Sequence, residues 1–469
     1  MSADVILGDY VKVQGGFAYK SKDFKNSGVP VIKIKNVGTG RLLFDDYSCV
    51  DEELAQTTKD FFTKPSDVLI SMTGSGPNQP GSLVGRVARV GKKDPRAVIN
   101  QRVGRLVLKK DKAIDLRFIF YLLTTKRAQE YLVGNSTGSA NQANISGKTI
   151  ESFPFSQVTY DESVEIADIL ESLDDKIELN RQINQTLEQI AQAIFKSWFV
   201  DFEPVKAKIE AKAAGRDPER AAMCAISGKL EPELDQLPPE QYKQLAATAA
   251  LFPDELVESE LGVIPVGWEV GKVAELGDII CGKTPPTADV ENYGDDVPFI
   301  TIPDMHGKLV ITSTTKSLSL KGANTQKNKY LRPGSICVSC IATPGLVVRV
   351  TREAQTNQQI NSVVPYEKWG DAYPLFALKL IGDLVRTSGA GGSVFHNLSK
   401  SGFEQLNLII CDEKLAKAFD CLLAPIIQRI FATQQESETL ATLRDTLLPK
   451  LLSGELAVER LPEEATACA

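Results

Sequence analysis

DESVEIADILESLDDKIELNRQINQTLEQIAQAIFKSWFVDF, residues 161–202, repeats its apolar positions after four and then three residues. At that spacing Ile166, Leu170, Leu173, Ile177, Leu187, Ile194 and Trp198 line one seam of a single long helix. Residues 412–456 carry the same seam 253 positions later: Phe419, Leu423, Ile426, Ile430, Leu440, Leu447 and Leu451. Both stretches open on an Asp-Glu pair, and each is long enough for roughly 60 Å of helix at 1.5 Å per residue. The sequence therefore predicts that the two helices pair, antiparallel, about a pseudo-dyad. The pairing residues are Leu173, Ile177, Leu187, Ile194 and Trp198 against Ile426, Ile430, Leu440, Leu447 and Leu451. Even the polar interruption repeats, Asn180 and Asn184 mapping onto Thr433 and Ser437. Two readings of these four stand open: buried groups that fix register at some cost in stability, or solvated groups where the helices diverge.

Ahead of each helix lies a region of about 150 residues made of short strand-like runs. In the first region the runs 29–34, 66–72, 84–90 and 104–108 alternate with Gly-rich turns, and one helical stretch, 116–132, precedes a polar loop, 134–146. The second region repeats this order. Val297-Pro-Phe-Ile-Thr-Ile-Pro-Asp answers Val29-Pro-Val-Ile-Lys-Ile-Lys-Asn, and Leu331-Arg-Pro-Gly-Ser-Ile-Cys-Val-Ser answers Thr63-Lys-Pro-Ser-Asp-Val-Leu-Ile-Ser. A helix over 373–384 then leads into the loop 388–397. The expected fold class is α+β, two mixed α/β domains separated by two long antiparallel coiled-coil helices, with an internal pseudo-two-fold repeat. The expected boundaries are 1–159 for the first mixed domain, 160–202 for the central helix and 203–265 for a connector. They continue with 266–410 for the second mixed domain, 411–456 for the C-terminal helix and 457–469 for a tail. The connector is rich in Ala, Glu, Pro and Lys, with short helical patterns interrupted by Pro232, Pro238, Pro239 and Pro253, and reads as partly ordered.

The 469 residues are 43% hydrophobic and 24% charged, the balance of a water-soluble globular chain with room for several domains. No apolar run reaches membrane-spanning length, the first residues lack signal-peptide character, and eight cysteines are scattered without a disulfide spacing. A cytoplasmic location is expected. The net charge of −7 is unevenly placed. Residues 1–159 carry 23 Lys/Arg against 15 Asp/Glu, and residues 265–410 carry 14 against 13. The acidity therefore sits in the helices and connector, and the first mixed domain is basic, as phosphate contact would require.

No catalytic set emerges. Gly277-Asp-Ile-Ile-Cys-Gly-Lys283-Thr284 matches the P-loop pattern, but Pro285 and Pro286 follow at once and no apolar helical period continues the motif. Cys337 and Cys340 lie in an alternating strand, where that spacing points two thiols to opposite faces, so no metal site is expected. His306 and His396 lack the neighbours of a catalytic triad. An amino-methyltransferase loop of the Asn/Asp-Pro-Pro-aromatic type is not found in the chain.

What remains is polar loop chemistry at matching places. The first half offers Lys33, Lys35 and Asn36; Ser71, Thr73 and Ser75; Asn100, Gln101 and Arg102; and Ser139, Asn141 and Gln142. The second offers Thr301 and Asp304, Thr343, Asn357 and Gln358, and Ser393, His396 and Asn397. Asn and Gln suit adenine edges, Arg and Lys guanine, and Ser, Thr and glycine amides phosphates. These are the candidate DNA-binding residues. A scaffold that merely organises partners through its helices, without binding DNA, is the competing reading.

Several strings, and their order, resemble the specificity subunits of type I restriction–modification systems over nearly the whole chain. They are Leu7-Gly-Asp9 and Leu276-Gly-Asp278; Pro30-Val-Ile-Lys-Ile-Lys-Asn36; Asn100-Gln-Arg102; Ile145-Ser146 with Phe153-Pro154; Ile194-Phe-Lys-Ser-Trp-Phe-Val-Asp-Phe-Glu-Pro204; Leu261-Gly-Val-Ile-Pro-Val-Gly-Trp268; and Leu447-Leu-Pro-Lys-Leu-Leu-Ser-Gly-Glu-Leu456. The resemblance implies two target-recognition domains reading the halves of a split, asymmetric sequence in double-stranded DNA, with the helices setting the gap. It implies two modification subunits that use S-adenosylmethionine to methylate adenine, and restriction subunits that use ATP and Mg to translocate and cut. This chain would bind no cofactor or metal of its own and would catalyse nothing alone. The second half departs from the first in reading Asn357-Gln-Gln359 for Asn-Gln-Arg, and Phe395-His-Asn397 where the first has Gln142-Ala-Asn144.

Overall fold

A computed structural model describes residues 4–76, 84–139, 142–341, 343–387 and 398–456. The chain divides into two compact units, one of residues 1–177 with 438–469, the other of residues 178–437. Each contains one mixed domain and a part of both long helices.

The first unit is built on a five-stranded sheet in the order Val11–Gly15, Val103–Leu108, Val68–Ser71, Val87–Arg89, Gly40–Arg41. All its pairs are antiparallel except the last. A three-stranded sheet, Ser48–Val50, Val29–Ile32 and Val98–Ile99, joins an antiparallel pair to a parallel one. The second unit repeats both. Its five strands run Gly277–Cys281, Ile360–Pro365, Ile336–Ser339, Val347–Val350, Val310–Ile311, again with a parallel final pair. Its three-stranded sheet is Ser317–Leu318, Tyr293–Ile300 and Gln355–Thr356. The closing pairs match as well, Asp4–Ile6 with Pro154–Ser156 and Glu269–Lys272 with Asn407–Ile410.

The central helix runs Tyr160–Phe199 and the C-terminal helix Glu413–Ser453. Within each unit the two segments pack antiparallel. In the first unit Ile166, Ala167 and Leu170 share a core with Leu448 and Leu451, and Arg444 pairs with Asp174 at 2.6 Å. Helix Leu116–Thr124 lies against the same segment, with the Tyr121 hydroxyl donating to Asp174 at 2.8 Å. Arg117 reaches Asp115, Asp168 and Glu171 within 2.7 Å, and Arg89 also meets Glu171 at 2.7 Å.

In the second unit the join is aromatic. Phe419 is wholly buried, with ring centroids 5.8 Å from Phe195, 5.6 Å from Trp198, 5.1 Å from Phe199 and 6.3 Å from Phe376. Of the expected pairing residues, Trp198, Ile430 and Leu451 are buried, while Leu187, Ile194, Ile426 and Leu447 are partly buried against the two cores. Leu173, Ile177 and Leu440 are half-buried. The heptad reading missed Phe195 and Phe199, because each helix also packs on its mixed domain and so buries a wider stripe than a two-helix seam.

The open question about the polar interruption is resolved in favour of burial for Asn180 and Thr433, while Asn184 and Ser437 are half-buried. Asn180 and Thr433 are 0% and 1% exposed. Asn180 Nδ2 donates to Glu436 at 2.9 Å, and the Thr433 hydroxyl donates to Asn184 Oδ1 across the pair.

The connector is more regular than its proline content suggested. It forms helices Glu203–Ala213, Pro218–Ser227, Glu231–Leu234 and Pro239–Ala249, then a hairpin of Leu256–Ser259 with Gly262–Pro265. Pro204, Pro218, Pro232 and Pro239 stand at the first or second position of these helices. There the missing N–H has no intrahelical partner to lose, so proline starts a helix instead of breaking one. Ala222, Met223, Leu234 and Ala249 form a small core of their own.

Candidate nucleic-acid interface

Four of the polar clusters converge in the first unit through backbone bonds. Asn100 N donates to Ile32 O at 3.0 Å, next to Lys33; Met72 N donates to Arg102 O at 2.8 Å; Ile145 N donates to Met72 O at 2.9 Å. The hairpin Thr137–Ser139 with Gln142–Asn144 then extends a short sheet onto Thr73–Gly74. The second unit hangs its loop on the same frame: Asn357 N to Ile300 O at 3.3 Å and Cys340 N to Gln359 O at 2.9 Å. A glycine seats each loop. Gly16 N donates to Val103 O and Gly282 N to Ile360 O, and a Cβ on either would stand within 2.4 Å of carbonyl oxygens of residues 99–100 or 357. Only glycine permits that approach.

The matched residues fall into two kinds, and burial separates them. Asn36, Ser71, Thr73, Ser75, Asn100 and Asp304 were expected at the DNA surface, yet none exceeds 8% exposure. Asn36 Oδ1 accepts from Lys33 N at 3.1 Å while its Nδ2 donates to the Leu43 and Asp46 carbonyls. Its counterpart Asp304 accepts from the amides and hydroxyls of Thr301 and Thr315 at 2.7–2.9 Å. Burial raises the Asp304 carboxyl's proton affinity, but these four bonds outweigh it and hold the group below its ordinary value. Ser71 Oγ accepts from Arg86 N and Ser339 Oγ from Leu346 N, both at 2.9 Å. Thr73 Oγ1 bonds Asn144 Oδ1 at 2.9 Å, and Asn100 Oδ1 takes the Arg102 amide at 3.4 Å. Asn36, Asp304, Ser71, Ser339 and Asn100 thus satisfy backbone groups where short strands end. Their burial and internal bonds brace the loops from within.

The rest are differently placed. Lys35, Gln101, Arg102, Gln142 and Gln358 are exposed, and Lys33, Thr301, Thr343 and Asn357 are half-buried. Lys33 Nζ sits 3.5 Å from the Phe24 ring centroid and donates to Ser48 at 3.0 Å. Burial, then the neighbouring Lys35 charge, lowers its proton affinity. Lys35 is paired with Asp46 at 2.5 Å. Ser139 lies in the hairpin strand, its side chain outside the described set; Asn141, Ser393, His396 and Asn397 lie outside the described residues.

The P-loop pattern proves to be sheet. Residues Gly277–Cys281 are an extended strand paired antiparallel with Ile360–Pro365, not the turning loop ahead of a helix that brings successive amides onto one phosphate. Lys283 N donates to Thr356 O at 2.9 Å, the same bond that Phe17 N makes to Ile99 O at 2.8 Å. Sequence reasoning missed that equivalence. Aligning the seating glycines Gly16 and Gly282 would have found it. Phe17 packs on Tyr19 and Phe61, with centroids at 4.9 and 5.7 Å, whereas the second unit presents Lys283 exposed and Thr284 bonded to Gln358. Cys337 and Cys340 are buried in cores on opposite sides of their strand, and burial pushes the Cys337 thiol up to about 12. Among the described residues no group of His, Cys, Asp and Glu is placed to hold a metal ion, and no helix is long and apolar enough to cross a membrane.

A doubled sheet frame with matching braces and differing exposed loops, each copy carried on a long helix, defines a two-part recognition protein. The chain belongs to the family of the type I restriction modification DNA specificity domain, whose sequence model matches residues 3–189 and 265–423. It is similar to the type I restriction enzyme HindI specificity subunit of Haemophilus influenzae, with 43% identity over 72% of this chain and 77% of that one. It is also similar to the MjaIX specificity subunit of Methanocaldococcus jannaschii, with 26% identity over 76% and 72%. The crystal structure of a type I restriction–modification S subunit from M. genitalium shares the fold, with a TM-score of 0.50 and 14% identity over 96% of both chains. The chain is thus a specificity subunit, a DNA-recognition component of an enzyme complex in which catalysis lies with other subunits.

Proposed function

We propose that the two mixed domains, residues 1–159 and 266–410, each read one half of a split, asymmetric sequence in double-stranded DNA. The observation that carries this is the contrast between frame and surface. Matching backbone bonds seat the loops 100–102 and 357–359, while the groups around them differ: exposed Arg102 against half-buried Gln359, and half-buried Phe17 against exposed Lys283. One frame with two surfaces suits two different half-sites. The basic first domain supplies phosphate contact, so binding should weaken steeply as salt rises. In the complex, two modification subunits would bring S-adenosylmethionine to adenine, and restriction subunits would bring ATP and Mg, in the cytoplasm. The paired helices would set the gap between half-sites.

The test is methylome sequencing of a host carrying the complex, with the wild-type chain and with seven residues removed from each long helix at matching levels. Seven residues amount to roughly 10 Å of helix, about three base pairs at 3.4 Å each. Two unlike half-sites, kept unchanged while the gap shortens, would support the reading. Methylation without a split sequence, or an unaltered gap, would overturn it.

A further inference from the structure

Some identities between the two halves have a structural cause. Ser71 and Ser339 are buried and hold the following strand, and Gly85 and Gly345 share φ angles of +80° and +87° that side chains resist. Gln101 and Gln358 are fixed by neither burial nor backbone geometry. Each is the middle residue of its loop, at the same place in the shared frame, and each is exposed. Packing asks for glutamine at neither position.

We propose that Gln101 and Gln358 are specificity-determining residues, each reading an adenine at the corresponding position of its own half-site. The inference rests on the two-reader function above and deepens it. A glutamine amide carries one acceptor and one donor group at the spacing of adenine N6–H and N7 in the major groove. The loops that hold the amides are stiffened from within. Asn100 Oδ1 takes the amide of Arg102 at 3.4 Å, and Asn357 Oδ1 takes that of Gln359 at 3.1 Å. In the second half the Thr284 hydroxyl also donates to Gln358 Oε1 at 2.7 Å. That bond occupies one lone pair and leaves the other for N6–H, with Nε2 free to donate to N7. It orients the amide before DNA arrives, which lowers the entropy lost on binding. Ala18 stands where Thr284 stands, so the first half has no such hydroxyl. Discrimination at this base is therefore sharper in the second half-site.

Gln101→Leu, Gln358→Leu and Thr284→Val are each tested in the assembled complex, with base preference read by selection from DNA randomised at every target position. Each Gln variant should relax one adenine in one half-site by about ten- to a hundredfold and leave the other half-site unchanged. Thr284→Val should weaken the Gln358 position alone, by a smaller factor. An even loss of affinity across all sequences would make these phosphate contacts and overturn the proposal. Unchanged preference, or relaxation at a base other than adenine, would overturn it as well. A wild-type complex with no sequence preference would instead sink the two-reader function itself, so the two failures are distinguishable.

Discussion

Phe419→Ala tests the aromatic join of the second unit. The side chain is 0% exposed and touches the rings of Phe195, Trp198, Phe199 and Phe376. Truncating a buried Phe costs roughly 3–5 kcal/mol, and four ring neighbours place this site at about 4. With a urea slope of about 2–3 kcal/mol per molar, the unfolding midpoint should fall by about 1.3–2 M. The chain supplies its own reporter. All three tryptophans, Trp198, Trp268 and Trp369, are buried in the core of the second unit, so their fluorescence follows that unit alone. Ile166→Ala is the matched control, since Ile166 stands 253 residues earlier and packs in the first unit's core. It should lower the far-UV circular dichroism midpoint and leave the fluorescence midpoint in place. A Phe419→Ala shift under about 0.5 M, near 1 kcal/mol, would refute the packing argument. An equal effect of Ile166→Ala on both probes would refute the separateness of the units.

Three further outcomes follow from the braces and the charged join. Ser71→Ala and Ser339→Ala should each cost about 1–2 kcal/mol, because a buried backbone N–H loses its acceptor, while base preference in the selection assay stays as in the wild type. Asp304 titrates below its unfolded value of about 3.9, so its contribution is present above that pH and fades as pH falls through the lower folded value. Asp304→Asn should therefore flatten the acid limb of the fluorescence-monitored stability curve, and an unchanged limb would count against the four-bond brace. Arg117→Met breaks the bonds to Asp115, Asp168 and Glu171 and should destabilise the first unit by about 1–2 kcal/mol, discounted for the water that reaches the site. The circular dichroism midpoint should move and the tryptophan midpoint should not.

The seam from Ile166 to Trp198, its copy 253 residues on, and the twin strand strings were enough to read the architecture, because periodicity and repetition are local properties of a chain. The rejection of the P-loop was legible for the same reason: two prolines and no helical period sit where a helix must start. The sequence also placed Gln101 and Gln358 at equivalent positions. It did not separate them from Asn36, Ser71, Asn100 and Asp304, which repeat just as faithfully. Burial is decided by what packs over a residue from far along the chain, and a polar side chain looks the same in sequence whether it braces a strand end or faces solvent. Tertiary structure drew that line. It also chose burial for Asn180 and Thr433, recruited Phe195 and Phe199 to a wider stripe, and turned the connector's prolines into helix starts. For the helix pair the deciding neighbour was distant in sequence, Glu436 for Asn180 and Phe419 for the two phenylalanines, while the connector packs on a small core of its own around Met223.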